Sequence, residues 1–238
     1  MMMQSIVAVH QPNYLPWLGF FHKLRQCDLF VVLDDVQIQK TGSSWVNRTQ
    51  ILVSGNSRWL TIPINRPSGT QQIRLATIRE DEPWRKSHRG LLHEAYRRAP
   101  YYKQFCSFLD GLYESPSTSI LDFNLAAMHG VLSLLGLPDA QKFVLASSLG
   151  VKSHGTSRLI DLVKRVGGDS YLCGSGSSSY LEPREFEEAS VKLVWQNFTE
   201  VNRSHLVTST FVGGLSIIDS LMVSGIDATL NYLGAFEV

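Results

Sequence analysis

His10, Asp34 and Asp35 are the residues best suited to acid–base chemistry, because each follows directly on a short apolar run. Ile6–Val9 is apolar and largely β-branched and stops at His10, and Leu29–Leu33 is wholly apolar and stops at the two aspartates. An imidazole with an ordinary pKa of about 6.5 can take a proton from an amine or hydroxyl near neutral pH. We interpret His10 as a general base and Asp34 or Asp35 as the group that fixes its tautomer.

Each of these three residues also has a simpler interpretation. His10 can be bonded to backbone at a strand end. One of Asp34 and Asp35 can cap the following turn, and the pair can also hold a divalent metal that bridges phosphates. Adjacent strand residues point to opposite sides, so we expect one of the two aspartates at most to face a site with His10.

The elements around these residues predict where they lie. Between the two apolar runs, Leu18, Phe20, Phe21 and Leu24 have helical spacing. Short apolar runs joined by a helix are typical of parallel strands that are buried on both faces. Ligands bind outside the carboxyl ends of such strands, which is where His10 and the aspartates would lie.

The same alternation returns in the second half of the chain. Phe143–Ala146, Ser170–Cys173 and Val191–Trp195 have the composition of strands, and Gly155–Val166 has a helical pattern. Alternating strands and helices predict an α/β fold with a Rossmann-like, mostly parallel sheet flanked by helices.

The middle of the chain differs in pattern. Gln50–Val53 and Arg58–Ile62 flank a turn-forming sequence and predict a hairpin, and Gln71–Leu75 is expected to add an edge strand. Helical patterns cover Pro83–Arg98, Tyr102–Tyr113 and Thr118–Leu135. We predict one α/β domain over residues 1–238 with a helical insertion at about 80–138, and a last short helix that ends at Gly225.

Residues near the first two strands supply candidate binding groups. Asn47 and Arg48 are donors suited to phosphate or carboxylate, although a single arginine in a loop is often a surface group. Trp45 can stack on a base or sugar or pack in the core. We also predict four substrate-binding residues after His10, of which the two aromatic ones shape the pocket wall: Gln11, Asn13, Tyr14 and Trp17.

The segment after Ser170–Cys173 is rich in glycine and serine. Gly174, Ser175, Gly176 and Ser177 can cradle a phosphate with their backbone N–H groups, or they can form a simple turn. The spacing matches neither the dinucleotide nor the Walker fingerprint. Cys173 can accept an acyl group by thioester exchange or serve as a buried structural thiol.

Composition excludes several classes of partner. The 238 residues carry a net charge of +1, which gives no electrostatic case for nucleic acid or an anionic membrane surface. No apolar run approaches the roughly 20 residues needed to span a bilayer, and the N-terminus lacks an apolar signal core. The three cysteines show no metal or disulfide spacing. We expect a cytoplasmic protein without membrane insertion, and we predict no metal site.

Three segments in this order, HQPNYLPWLGFFHKL, LDDVQ…WVNR and YLCGSGSSSYL, together with the closing LSIIDSLMVSGIDA, resemble the WbqC-like family. The resemblance implies a bacterial cytoplasmic protein associated with O-antigen or other surface-polysaccharide genes and with modified amino sugars. The motif CGSGSSS departs from the SGPGG-like sequence expected of the family, which argues against Cys173 and Ser175 as general family catalysts.

The function we predict is a transferase. An aminoacyl or acyl group, carried as a phosphopantetheine thioester on a carrier protein, would pass to the amine of a nucleotide-linked amino sugar. His10 would remove the amine proton, and Asn47, Arg48 and the glycine-rich loop would hold the phosphates. Two alternatives stay open at this stage: a nucleotidyltransferase of sugar activation, and a non-catalytic sugar-nucleotide binding protein.

Overall fold

Five parallel strands form the main sheet of the protein in a computed structural model. The structure describes residues 5–38, 44–65, 71–137, 142–174, 176, 181–203 and 210–234. The strands are β1 (Ile6–His10), β2 (Leu29–Val32), β3 (Arg48–Val53), β4 (Asn56–Thr61), β5 (Phe143–Leu145), β6 (Ser170–Cys173) and β7 (Lys192–Trp195). The helices are α1 (Leu18–Gln26), α2 (Trp84–Tyr96), α3 (Tyr102–Glu114), α4 (Ile120–Leu134), α5 (Gly155–Arg165), α6 (Pro183–Glu188) and α7 (Ile217–Tyr232).

The strand order of the main sheet is β5-β2-β1-β6-β7, and every neighbouring pair is parallel. The chain therefore builds outward from β1 on one side through β2 and β5, and then returns to the other side of β1 with β6 and β7. This reversal places a topological switch point between the carboxyl ends of β1 and β6, where open α/β sheets bind ligands. The predicted α/β fold with a mostly parallel sheet flanked by helices is confirmed.

Both faces of the sheet are covered, because successive strand residues point to opposite sides. In β1, Ala8 belongs to the core that includes α1, the three middle helices and α7, whereas Val7 and Val9 belong to the core beside α5 and α6. This double burial explains why the sheet strands read as continuous apolar runs in the sequence.

The segment between β2 and β5 contains the predicted hairpin, β3 with β4, followed by the three predicted helices, α2, α3 and α4. The edge strand predicted at Gln71–Leu75 is wrong. Ile73–Leu75 is a single 3-10 turn, because the amides of Ile73 and Arg74 donate to the carbonyls of Val36 and Asp34 and bend the chain there.

Two further features differ from the sequence pattern. The short helix α6 was not predicted; it begins at Pro183, a favourable first helical residue. Gly225 interrupts α7 with φ +80° and ψ −179°, as its predicted role as a helix end suggests, but the helix resumes and continues to Tyr232. In the described parts of the chain, no helix is both long enough and apolar enough to cross a membrane.

Candidate functional site

The loop after β1 is held in place by buried side chains from distant elements. The Asn124 side chain of α4 donates from Nδ2 to the carbonyls of Pro12, at 2.8 Å, and Val46, at 2.7 Å. Leu15 adopts φ +39°, an unfavourable value for a side chain with a Cβ. The hydroxyls of Thr49 and Ser216 both donate to the Leu15 carbonyl, at 2.9 and 2.8 Å. A strained loop that is fixed by three such bonds, and tied through Asn124 to Val46, is typical of a functional site.

A cavity of about 280 Å³ lies beside this loop, at the switch point between β1 and β6. The end of β1 contributes His10, the beginning and middle of α1 contribute Trp17 and Lys23, and the segments after β6 and β7 contribute Gly174 and Gln196. Its volume is near the lower end of the range for small-molecule sites, which is roughly 300–1,000 Å³. None of the described residues that line it is acidic.

His10 is neutral in this cavity and presents a defined nitrogen. Burial is the main cause that lowers its pKa from 6.5 to about 4, and the nearby charge of Lys23 acts in the same direction. Its Nδ1 lies 3.0 Å from the Gln11 carbonyl, which can only accept a hydrogen bond, so Nδ1 carries the proton. Nε2 therefore carries a lone pair. The edge of the His10 ring also packs against Phe20, which holds its orientation.

Lys23 brings a positive charge to the same cavity from the buried side of α1. Lys23 is only 6% exposed, and its side chain makes no hydrogen bond or salt bridge with another described residue. Burial lowers the pKa of Lys23 below 10.5, while the thiols of Cys173 and Cys27 raise it slightly. An ammonium that is buried without a carboxylate is costly, and such a group points to an anionic ligand.

The amine of Lys23 is positioned by close packing at Gly174. Its Nζ lies 3.2 Å from the point where a Cβ would stand on Gly174, and the Gln196 Oε1 lies 3.6 Å from the same point. Gln196 is oriented through its Nε2, which donates to the Gly19 carbonyl at 2.7 Å and to His22 Nδ1 at 3.0 Å. A Cβ at residue 174 would crowd the amine, which would have to shift by a few tenths of an ångström.

Asp34 and Asp35 have partners other than His10. Ser147 donates to Asp34 from its backbone N–H at 2.9 Å and from its hydroxyl at 2.6 Å, so Asp34 caps the 3-10 turn after β5. Asp35 receives Arg158 Nη2 at 2.7 Å from both carboxylate oxygens, in a separate cleft of about 720 Å³. The group that fixes the His10 tautomer is the Gln11 carbonyl, which corrects our expectation that a carboxylate does so.

The candidate residues of the second loop lie outside the cavity. Asn47 is buried and donates from Nδ2 to the Ile62 carbonyl at 2.9 Å. The guanidinium of Arg48 lies 4.1 Å from the centre of the Trp59 ring, which also packs against Trp45. Asn47, Arg48 and Trp45 therefore stabilise the β3–β4 hairpin and its surroundings. They do not lie beside His10.

Of the predicted residues that follow His10, Trp17 lies at the cavity and Tyr14 lies in the core. Trp17 lines the cavity, and its ring packs against Phe198. Gln11 contacts His10 through its carbonyl, and Asn13 is 5% exposed. Tyr14 is wholly buried, and its hydroxyl bonds to Tyr113 and to His88 Nδ1 in the core among the middle helices, so it is not a wall residue of this cavity.

The glycine-rich segment reaches the cavity through Gly174 and Gly176. Ser175 and Ser177, which we also predicted to bind substrate, lie outside the described residues. Cys173 is wholly buried, and its thiol donates to the Val194 carbonyl at 3.4 Å. Burial raises the pKa of the Cys173 thiol to about 11, which disfavours the thiolate that acyl exchange requires.

Lys23 and Gln196 are the residues that sequence reasoning missed. The signal for Lys23 was present, since it falls with Phe20, Leu24 and Cys27 on the apolar side of α1. A lysine at such a position usually extends its amine to the protein surface, and only the structure shows that the amine of Lys23 lies in the cavity. Across the described ranges, no group of three or more His, Cys, Asp or Glu side chains could hold a metal ion.

The strand order defines a parallel α/β protein with a cavity at the switch point of its sheet. The chain belongs to the WbqC-like protein family, whose model matches residues 11–231. It is 26% identical over 223 residues to a Mycobacterium tuberculosis (strain ATCC 25618 / H37Rv) protein named "Uncharacterized protein Rv1507c", with 93% of this chain and 95% of that protein covered. No solved structure matches this chain.

Proposed function

We propose that this protein is a transferase that moves an acyl or aminoacyl group from a thioester to the amine of a nucleotide-linked amino sugar. The observation that carries the proposal is the neutral imidazole of His10, with the lone pair on Nε2, in the wall of the switch-point cavity. The chain belongs to the WbqC-like family, and the setting in surface-polysaccharide and amino-sugar biosynthesis is part of the proposal, taken from the sequence resemblance.

The reaction balances with His10 as the only proton carrier. The amine nitrogen attacks the thioester carbonyl, the new C–N bond forms and the C–S bond breaks. The amine proton passes to His10 Nε2 and then to the leaving thiolate. Because burial and Lys23 lower the pKa of His10 to about 4, the imidazolium is more acidic than a free one and returns its proton readily to the leaving thiolate.

The donor in this proposal is a phosphopantetheine thioester on an acyl or peptidyl carrier protein, and the setting is the cytoplasm. Direct transfer suits the site better than transfer through an acyl-enzyme. Cys173, the thiol nearest to the glycine-rich loop, is wholly buried and has a raised pKa. We therefore expect Cys173→Ser to keep most of the activity.

The test is transfer of a labelled acyl or aminoacyl group from a carrier-protein thioester to a dTDP-linked amino sugar. His10→Ala should cut turnover by about 10²–10⁴-fold. His10→Asn is the sharper variant, because an amide can still donate to the Gln11 carbonyl yet cannot carry a proton. His93→Ala, at an exposed position on α2, is the matched control and should turn over at the wild-type rate. Full activity in His10→Asn would overturn the proposal.

Nucleotidyl transfer is the second candidate, since His10 and the start of α1 border one cavity at the switch point. The second histidine of the motif does not support it: His22 is 7% exposed and accepts from Gln196 at 3.0 Å. Pyrophosphate release from a nucleoside triphosphate and a sugar phosphate, without acyl transfer, would favour this candidate. Ligand binding with neither reaction would favour a non-catalytic sugar-nucleotide binding protein.

A further inference from the structure

Lys23 is a buried residue whose amine opens into the cavity, and the described protein supplies no negative charge beside it. The residue is only 6% exposed, and its amine makes no hydrogen bond or salt bridge to any described residue. The groups that face it there are the neutral ring of His10 and the thiols of Cys173 and Cys27. A bound anion would complete the charge balance.

The start of α1 adds a second source of positive potential at the same place. This nine-residue helix begins at Leu18 beside the cavity, has no acidic residue in its first turn, and Trp17 provides no side-chain cap. The N–H of Phe20 donates to the Trp17 carbonyl at 3.1 Å, so the helix dipole is the main attraction for an anion at this end. The close approach allowed by Gly174 leaves room for the amine and for a ligand against the backbone.

We infer that Lys23 and the first turn of α1 hold the diphosphate of a nucleotide-linked ligand in the switch-point cavity. A lysine ammonium is a compact charge with three donors, which suits phosphate oxygens. The volume of about 280 Å³ suits a diphosphate with part of its sugar. The residues that the sequence suggested for phosphates, Asn47 and Arg48, are engaged elsewhere. The nucleotide identity of this ligand rests on the proposed function.

The experiment is calorimetric titration of the full chain with UDP and with dTDP. Lys23→Met removes the charge and keeps the length of the side chain, so the dissociation constant should rise about 10- to 100-fold, as expected for loss of a charged hydrogen bond. Lys86→Met, at an exposed position on α2, is the matched control and should bind like the wild type. Uridine, which lacks the diphosphate, should bind both proteins equally weakly.

Three results would overturn the inference. One is equal UDP and dTDP affinity in wild type and Lys23→Met; another is no binding of either nucleotide to the folded wild type at millimolar concentration. The third is Lys23-dependent binding of 4′-phosphopantetheine without binding of either nucleotide, which would assign the same charge to the donor arm. Thermal unfolding reports whether Lys23→Met is folded, and Gly174→Ala perturbs the amine by a second route if it is not.

The same variants separate this inference from the proposed reaction. Lys23-dependent binding of UDP or dTDP in a protein without acyl transfer would remove the transferase and leave the diphosphate site. Acyl transfer that depends on His10, with unchanged KM and nucleotide affinity in Lys23→Met, would leave the transferase and remove the diphosphate site.

Discussion

Lys23 and Gly174 meet inside the cavity, where the amine nitrogen lies 3.2 Å from the position of a Cβ on Gly174. Lys23 comes from the first helix of the chain and Gly174 follows the fourth strand of the sheet, β6. Their contact joins the two halves of the fold at the switch point. A methyl group at residue 174 would therefore displace the amine of Lys23, and we expect little effect on the stability of the fold.

Gly174→Ala should weaken UDP binding by roughly tenfold, or about 1.4 kcal/mol, because the new Cβ pushes the lysine amine from its place. The wild-type melting temperature should be nearly kept, since the displaced atom ends a flexible side chain. Gly176→Ala is the matched control: Gly176 lines the same cavity, yet no atom of the described residues lies within 4 Å of its Cβ position. Equal losses in both variants, measured by calorimetry, would contradict the specific contact with Lys23.

Lys23→Met should stabilise the ligand-free protein at neutral pH by at least about 1 kcal/mol, because an unpaired buried ammonium costs more than a thioether. Burial lowers the pKa of Lys23, so the unfolded chain binds this proton more tightly than the folded one does. The penalty is full below the lowered pKa and is relieved as pH rises toward 10.5.

Urea unfolding of wild type and Lys23→Met at several pH values checks this prediction. The gain in the variant should shrink from neutral pH to pH 10. A loss of stability in Lys23→Met at neutral pH would show that the amine has a partner in the ligand-free protein, and the diphosphate inference would lose its first support.

Acid should destabilise the protein partly through His10. Its pKa is lowered from 6.5 to about 4, so the unfolded state gains a proton before the folded state does as pH falls. The stability tied to this group is complete above pH 6.5 and declines toward pH 4, at no more than about 1.4 kcal/mol per pH unit. His10→Asn should remove this part of the pH dependence.

Denaturant titrations of both proteins between pH 7 and 4.5 measure the effect. His88 has a pKa lowered to about 4 by burial as well, so part of the acid dependence should remain in His10→Asn. If the two slopes are identical, folding does not lower the pKa of His10, and the buried, charge-repelled environment assigned to its ring would be contradicted.

Asp34→Ala should cost about 1–2 kcal/mol of stability, because Ser147 loses the acceptor of both its N–H and its hydroxyl. A double-mutant cycle with Ser147→Ala should return a coupling energy of about 1 kcal/mol. Turnover per folded molecule should be unchanged. A large fall in turnover with normal stability would instead restore a catalytic role for Asp34.

The sequence by itself determined the class of fold and four of the residues that line the cavity: His10, Trp17, Gly174 and Gly176. Continuous apolar runs in Ile6–Val9, Leu29–Leu33 and Ser170–Cys173, separated by helical periodicity, led to the parallel α/β sheet. The position of His10 at the end of such a run placed it at the carboxyl edge. These inferences succeed because strand and helix periodicity are local properties, set by which faces of each segment are buried.

Only the tertiary structure decided which side chains act together. Ser147 and Arg158, the partners of Asp34 and Asp35, lie more than a hundred residues away in sequence, and no local pattern predicts such pairs. The helical spacing put Lys23 on the apolar side of α1, but a flexible lysine can extend from that side to solvent. In the folded chain the amine points instead toward Gly174, just after β6, where the absence of a side chain leaves space for it. That contact joins residues far apart in sequence, so no local pattern predicts it.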